Sequence, residues 1–197
     1  NVFEDWCDQT YRELRRFDKE WSAQNGWPQS IRLTVIQPNG TLGSLVLGST
    51  PGAHTGYARF TIRRVRFDAK DPLVARLKKA GYSMEPEIKF DGKYNHDIMV
   101  VDFPTRFSDD TLVAEQSSAI DQLERVKKLQ TCWADQAVSA TVYYKPAKLD
   151  GIKEWLKQNY DNSIKSISFL LHQDHNFKQA PYEPISEEMY NKLIQKL

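Results

Sequence analysis

Helix-period and strand-period apolar patterns alternate along these 197 residues, and that alternation narrows the fold more than any other feature. Phe3, Trp6, Cys7, Leu14, Phe17 and Trp21 recur at helical spacing with charged residues between them, which predicts an amphipathic opening helix. Gly26 and Pro28 stop it. Ile31, Leu33 and Val35 alternate with polar residues and predict a strand with Leu33 and Val35 on one face, toward the interior. Gln37-Pro38-Asn39-Gly40-Thr41 reads as a turn-rich loop, followed by a short helical turn at Leu45 to Leu47 and a second turn from Ser49 to Gly52. Tyr57 to Phe67 reads as a helix or an extended segment. Asp71-Pro72 starts a helix that Gly81 ends. Ile88 to Phe90 and Ile98 to Phe103 predict strands joined at Asp91-Gly92-Lys93. A long helix through Ile120, Leu123, Val126 and Trp133 follows, then a strand from Val138 to Tyr144. A helix at Ile152 to Leu156, a strand from Ile167 to Leu171 and a last helix capped by Ser186 complete the order. The class is α/β or α+β.

The length suits one domain or a large piece of one. The chain enters its first helix directly from Asn1, with no methionine, which reads as the cut edge of something longer or processed. Net charge is +1, from 27 basic and 26 acidic residues, so there is no general pull toward nucleic acid or an anionic membrane. No apolar run is long enough to span a bilayer and no signal peptide is visible, so a cytoplasmic protein is expected. Cys7 and Cys132 lack metal-type spacing and read as packing residues on helices. His54, His96, His172 and His175 have no metal-ligand company. Arg63, Arg64 and Arg66, interleaved with Ile62, Val65 and Phe67, read as structural, meeting acidic neighbours or solvent.

The chemistry concentrates in Pro38, Asn39, Gly40, Thr41, Leu42, Gly43 and Ser44. A strand followed by small residues and a helical turn lets main-chain N–H groups approach an anion, and the hydroxyls of Thr41 and Ser44 add donors. Such a loop holds a phosphate without a lysine. Pro-Asn-Gly equally describes a plain turn.

Gln37-Pro38-Asn39-Gly40-Thr41-Leu42, Ser44-Leu45 and Gly48-Ser49-Thr50-Pro51-Gly52-Ala53-His54 together resemble the phosphate-loop run of the adenosylcobalamin-dependent ribonucleotide reductases. The resemblance continues through Gly56 to Phe60, Ile62 to Phe67, Asp71 to Val74, Val138 to Val142 and Gln179 to Ile185, so it extends nearly end to end. It departs at Gly43, which stands as an inserted residue, and at Thr55, where the family pattern has proline.

The resemblance implies the carboxyl-terminal part of a ten-stranded α/β barrel with a small α+β tail. Residues 1–145 would belong to the catalytic barrel and 146–197 to the extension. It implies conversion of ribonucleotides to deoxyribonucleotides, with adenosylcobalamin as cofactor and a ribonucleotide substrate. It also implies a thiol reductant protein and an amino-terminal segment or chain carrying the active-site cysteines. This chain has no cysteine in the required motif context, so no catalytic residue is assigned. Tyr143 and Tyr144 end a barrel-type strand and either face the cofactor or are ordinary strand aromatics. The alternative function is a non-catalytic nucleotide-binding or regulatory module of the same fold.

Overall fold

The computed structural model describes residues 1–39, 50–171 and 178–197. In chain order the elements are α1 (Val2–Asn25), β1 (Phe60–Asp68), α2 (Pro72–Lys79), β2 (Met84–Ile88), β3 (Tyr94–Arg106), α3 (Ala119–Cys132), β4 (Thr141–Tyr144), α4 (Leu149–Ser163), β5 (Ser168–Leu171), β6 (Tyr182–Pro184) and α5 (Glu187–Ile194). They form two compact units. The first takes the chain to Asn39, Thr50–His54 and Ser117 to Leu171; the second takes Thr55–Gln116 and Lys178 to Leu197.

In the first unit, Leu123 and Val126 of α3, Val138 and Val142 around β4, and Ile152 and Trp155 of α4 make the core, with Ala53 and Ile164 at its margins. α3 begins with a reciprocal cap: the Ser118 side chain accepts from the Asp121 N–H, and Asp121 accepts from the Ser118 N–H. β4 and β5 run parallel, Thr141 opposite Ser168 through Tyr144 opposite Leu171, with α4 as the crossover a parallel pair requires. The predicted strand at Ile31 to Val35 is not a strand. Its chain is held by individual bonds instead: Leu33 N–H to the Asp135 carboxylate (2.8 Å), Gln136 N–H to Thr34 O (3.1 Å) and Ser139 N–H to Ile36 O (3.2 Å). Ile31 and Val35 are exposed and Thr34 is buried, so the inward face is the opposite of the one the apolar pattern suggested.

α1 forms as expected, but most of its aromatic residues stay exposed. Cys7 and Ser22 are buried, whereas Trp6, Phe17 and Trp21 are 68%, 59% and 49% exposed. Polar contacts seat this helix. Tyr11 donates to Asp135 (2.8 Å), Arg15 donates to Ser30 O (2.7 Å) and Ile31 O (3.0 Å), and Lys128 pairs with Glu4 (3.1 Å).

The second unit is an antiparallel sheet in the order β2-β3-β1-β6. The segment left open as helix or extended is β1, paired along its whole length with β3, from Phe60 opposite Arg106 to Asp68 opposite Ile98. Ile62, Val100 and Val101 are buried, and the Thr61 and Thr105 hydroxyls meet at 2.7 Å. The Asp91-Gly92-Lys93 turn joins β2 to β3, as its residues predicted. β6 was not foreseen; Pro184 is tolerated there because β6 lies at the sheet edge. α5 packs on β1 and β3, with Phe60 against Tyr190 (5.2 Å between ring centres).

Candidate substrate-phosphate loop

Of the seven loop residues, Pro38 and Asn39 are described, whereas Gly40, Thr41, Leu42, Gly43 and Ser44 lie outside the described residues, as do Leu45 to Leu47. The loop's two flanks are close together. A β-carbon placed on Gly52 would stand 2.5 Å from Gln37 O and 3.2 Å from the Pro38 Cα. Gly52 has φ +72°, and its N–H donates to Thr50 O (3.0 Å). The Thr50-Pro51-Gly52 turn therefore rests directly on the chain entering the loop, an approach that only a residue without a side chain allows.

His54 ties that turn to β4. Its Nδ1 is 2.8 Å from Pro51 O, and its Nε2 is 2.9 Å from the Thr141 N–H. Since Thr141 can only donate, Nε2 accepts, and the ring proton belongs on Nδ1, donated to Pro51 O. Two residues further along β4, Tyr143 N–H donates to the Gln122 Oε1 of α3 (3.2 Å). The edge of β4 away from β5 is thus met by side-chain acceptors at alternate N–H groups. Tyr143 is 43% exposed, while Tyr144 packs edge-on against Phe169.

Asp135 anchors the segment leading to the loop. It accepts from Leu33 N–H and Tyr11, and Arg15 lies 3.4 Å away. Burial works against its charge, but the Leu33 bond, the Tyr11 bond, the Arg15 charge and the Thr34 backbone outweigh it and hold the carboxyl below its ordinary range. Thr34 completes the anchor, donating to Trp133 O (2.5 Å) and accepting from Asp135 N–H (3.0 Å).

Neither cysteine lies on the loop flanks. Cys7 is buried on α1; burial, then the Cys132 thiol, pushes its thiol up, with Lys128 opposing. A raised thiol is a poor nucleophile, as a packing role would have it. Among the arginines, Arg64 bridges Asp102 (3.2 Å) and Glu183, Arg66 pairs with Glu87 (2.8 Å) and Arg63 lies over the Tyr182 ring (4.3 Å). Burial raises the Asp102 carboxyl while Arg64 draws it down. His172 and His175 lie outside the described residues. Among the described residues no three His, Cys, Asp or Glu side chains gather as a metal site needs, and no helix is long and apolar enough to cross a membrane.

The chain matches no family model. It is 36% identical over 191 residues to a Levilactobacillus brevis protein named adenosylcobalamin-dependent ribonucleoside-triphosphate reductase, covering 95% of this chain and 25% of that one. A Dictyostelium discoideum protein named as a probable enzyme of the same kind is 33% identical over 196 residues, covering 98% of this chain and 25% of that one. A crystal structure of a B12-dependent, class II ribonucleotide reductase matches with a TM-score of 0.86 and 32% identity, covering 99% of this chain and 27% of that one. This chain is homologous to part of the adenosylcobalamin-dependent ribonucleotide reductases. It spans about a quarter of the length of the relatives it matches.

In this reductase homologue, the α/β class expected from the pattern is present. Sequence reasoning missed the bridging role of His54, the edge-capping role of Gln122 and the buried Gln179. Gln179 is 6% exposed at φ 57°; its side chain accepts from Ile88 N–H (2.8 Å) and donates to Glu85 (2.8 Å) and Pro86 O (2.9 Å). His54 and Gln179 both stand inside motifs that carried the resemblance. That placement was the available signal, although it named no partner.

Proposed function

We propose that this chain is the substrate-phosphate-holding segment of a ribonucleotide reductase that converts ribonucleotides to deoxyribonucleotides by adenosylcobalamin-initiated radical chemistry. Homology over nearly the whole chain supports the reductase reading. The observation that carries the phosphate reading is the seating of Gly52 on Gln37 and Pro38, which brings together the described residues on either side of positions 40–49. Small residues such as Gly40, Gly43 and Ser44 let main-chain N–H groups approach an anion, the way backbone holds a phosphate. The bound molecule is a ribonucleoside di- or triphosphate.

Adenosylcobalamin, when bound, supplies the radical by homolysis of its cobalt–carbon bond. Tyr143, half-exposed on β4, is the better placed of the pair to lie beside that group; Tyr144 packs edge-on against Phe169. The protein's own contribution in this segment is binding and orientation. The ten-stranded barrel, the thiol reductant protein and an amino-terminal segment carrying the active-site cysteines belong to the same proposal. That segment would lie against the uncovered aromatic face of α1, where Trp6, Phe17 and Trp21 stand exposed.

Gly40→Val should abolish saturable binding of a nucleoside triphosphate to the chain in a calorimetric titration, because a β-branched side chain blocks close backbone approach. Equal affinity of the variant and the parent overturns the loop assignment. Isolated and given adenosylcobalamin and a dithiol, the chain should form no deoxynucleotide; measurable product contradicts the assignment of the catalytic cysteines elsewhere. A second reading is a nucleotide-binding module without catalysis; the placement of Cys7 and Cys132 away from the loop flanks accords with both readings. Binding that persists with no activity under co-expression with an amino-terminal reductase segment would select it.

A further inference from the structure

We infer that His54, as the neutral tautomer protonated on Nδ1, is the residue that positions the base of the phosphate loop. The inference rests on the phosphate reading above and adds the device that sets the loop's geometry. Three observations combine. Nδ1 and Nε2 are both engaged, one with Pro51 O at 2.8 Å and the other with Thr141 N–H at 2.9 Å. The turn held by the first bond rests on the entering flank, since Gly52 lies against Gln37 and Pro38. The strand held by the second bond is in the core, with Val142 fully buried next to Thr141.

One imidazole therefore connects a rigid strand to the turn, and the turn to the loop's entry. Removing the ring takes away the polar link between the turn and β4, leaving the packing of Ala53, and leaves the Thr141 N–H without its acceptor. A protonated ring would present a second N–H to Thr141, so only the neutral form serves. His54 touches no substrate in this account. It acts through the Pro51–Gly52 turn and is a positioning residue. Side chains that replace only half of it separate the two bonds. Asn carries a donor near the Nδ1 position but does not reach Thr141; Gln extends an acceptor toward Thr141.

The experiment uses the full chain and three variants, His54→Ala, His54→Asn and His54→Gln. Long-range ¹H–¹⁵N correlation on the parent should show the proton on Nδ1; a proton on Nε2 overturns the assignment. Thr141 amide exchange should accelerate about tenfold in His54→Ala and His54→Asn, the size of one lost hydrogen bond to a part-buried donor, and recover in His54→Gln. The amide resonances of Gln37, Asn39 and Gly52 should move in all three variants, because none of them restores both bonds. Resonances of the flanks that stay put in every variant overturn the positioning role. Inorganic tripolyphosphate is the binding probe. Weakening of about tenfold in each of the three variants supports the proposal, and unchanged affinity in His54→Ala overturns it. A parent chain that binds no tripolyphosphate while its flank resonances respond to position 54 rejects the phosphate reading and leaves the positioning of the flanks established.

Discussion

A methyl group added to Gly52 would meet the Gln37 carbonyl oxygen at 2.5 Å, at a backbone φ of +72°. Both the contact and the dihedral oppose it. Gly52→Ala should destabilise the chain by about 1–3 kcal/mol, the usual range for a side chain forced into the left-handed region. Urea denaturation measures it, and an unchanged midpoint would show that the turn yields. Gln179 poses the opposite case: a non-glycine residue keeps φ 57° because its buried side chain makes three good bonds. Gln179→Ala loses the bonds and keeps the strain; Gln179→Gly loses both. Both variants should be less stable than the parent, by about 2–3 kcal/mol for Ala, with Gly the milder by up to about 1 kcal/mol. A Gly variant less stable than the Ala variant would show that the strain is not felt. These residues also mark the limit of reading a sequence at this scale. His54 meets Thr141 across 87 positions and Gln179 meets Ile88 across 91, and no local pattern encodes a partner so distant.

α1 and the segment that follows it are joined through Asp135 more than through apolar packing. Tyr11, Arg15 and the Leu33 N–H converge on that carboxylate, whose folded pKa lies below its ordinary value. A lowered carboxyl stabilises the fold above the ordinary carboxylate range, and that stability is lost as pH falls through the folded value. Stability of the parent should therefore decline on acidification through that window. Asp135→Asn should be less stable near neutrality by about 1–3 kcal/mol, with a shallower acid decline. Parallel pH profiles for the two proteins, measured by denaturant midpoint, would remove Asp135 from the account. The same network explains which elements the sequence disclosed. The opening helix, α2 with its Asp71 cap and the β2–β3 turn follow from local rules, and all are present. The alternation at Ile31 to Val35 follows the same rules but builds no strand: Thr34 O and Ile36 O accept from Gln136 and Ser139 N–H, while the Leu33 N–H turns to the Asp135 carboxylate rather than to a strand carbonyl. β1 was ambiguous because its arginines look like a solvated face. In the sheet, Arg64 meets Asp102 on β3 and Glu183 on β6, and Arg66 meets Glu87 on β2; these are the acidic neighbours that the structural reading expected, though a one-dimensional pattern does not display which residues they are.

At the scale of the molecule, the telling feature is an apolar face that the described residues leave about half or more exposed. Trp6, Phe17 and Trp21 share one side of α1 and are 68%, 59% and 49% exposed, while Cys7, Tyr11 and Ser22 turn the other way. The helical periodicity of the sequence was real, but it described a surface rather than a seat in this chain's core. An aromatic stripe of that kind in water is costly and is characteristic of an interaction site. The relatives extend to about four times this length, and under the proposed function the occupant is the remaining reductase segment. Trp6→Ser and Trp21→Ser should each change the stability of the isolated chain by less than about 0.5 kcal/mol, since they remove exposed groups. The same substitutions should weaken association with a co-expressed amino-terminal segment by about 2 kcal/mol or more, as loss of a central aromatic anchor does. Sedimentation of the mixed chains reads the association, and a blue shift of tryptophan emission on mixing reports burial of the face. A complex that forms with equal affinity in the parent and both variants would place the junction elsewhere. If the isolated chain is instead monomeric, binds no apolar dye and ignores the added segment, α1 is an ordinary solvated helix and the chain stands alone.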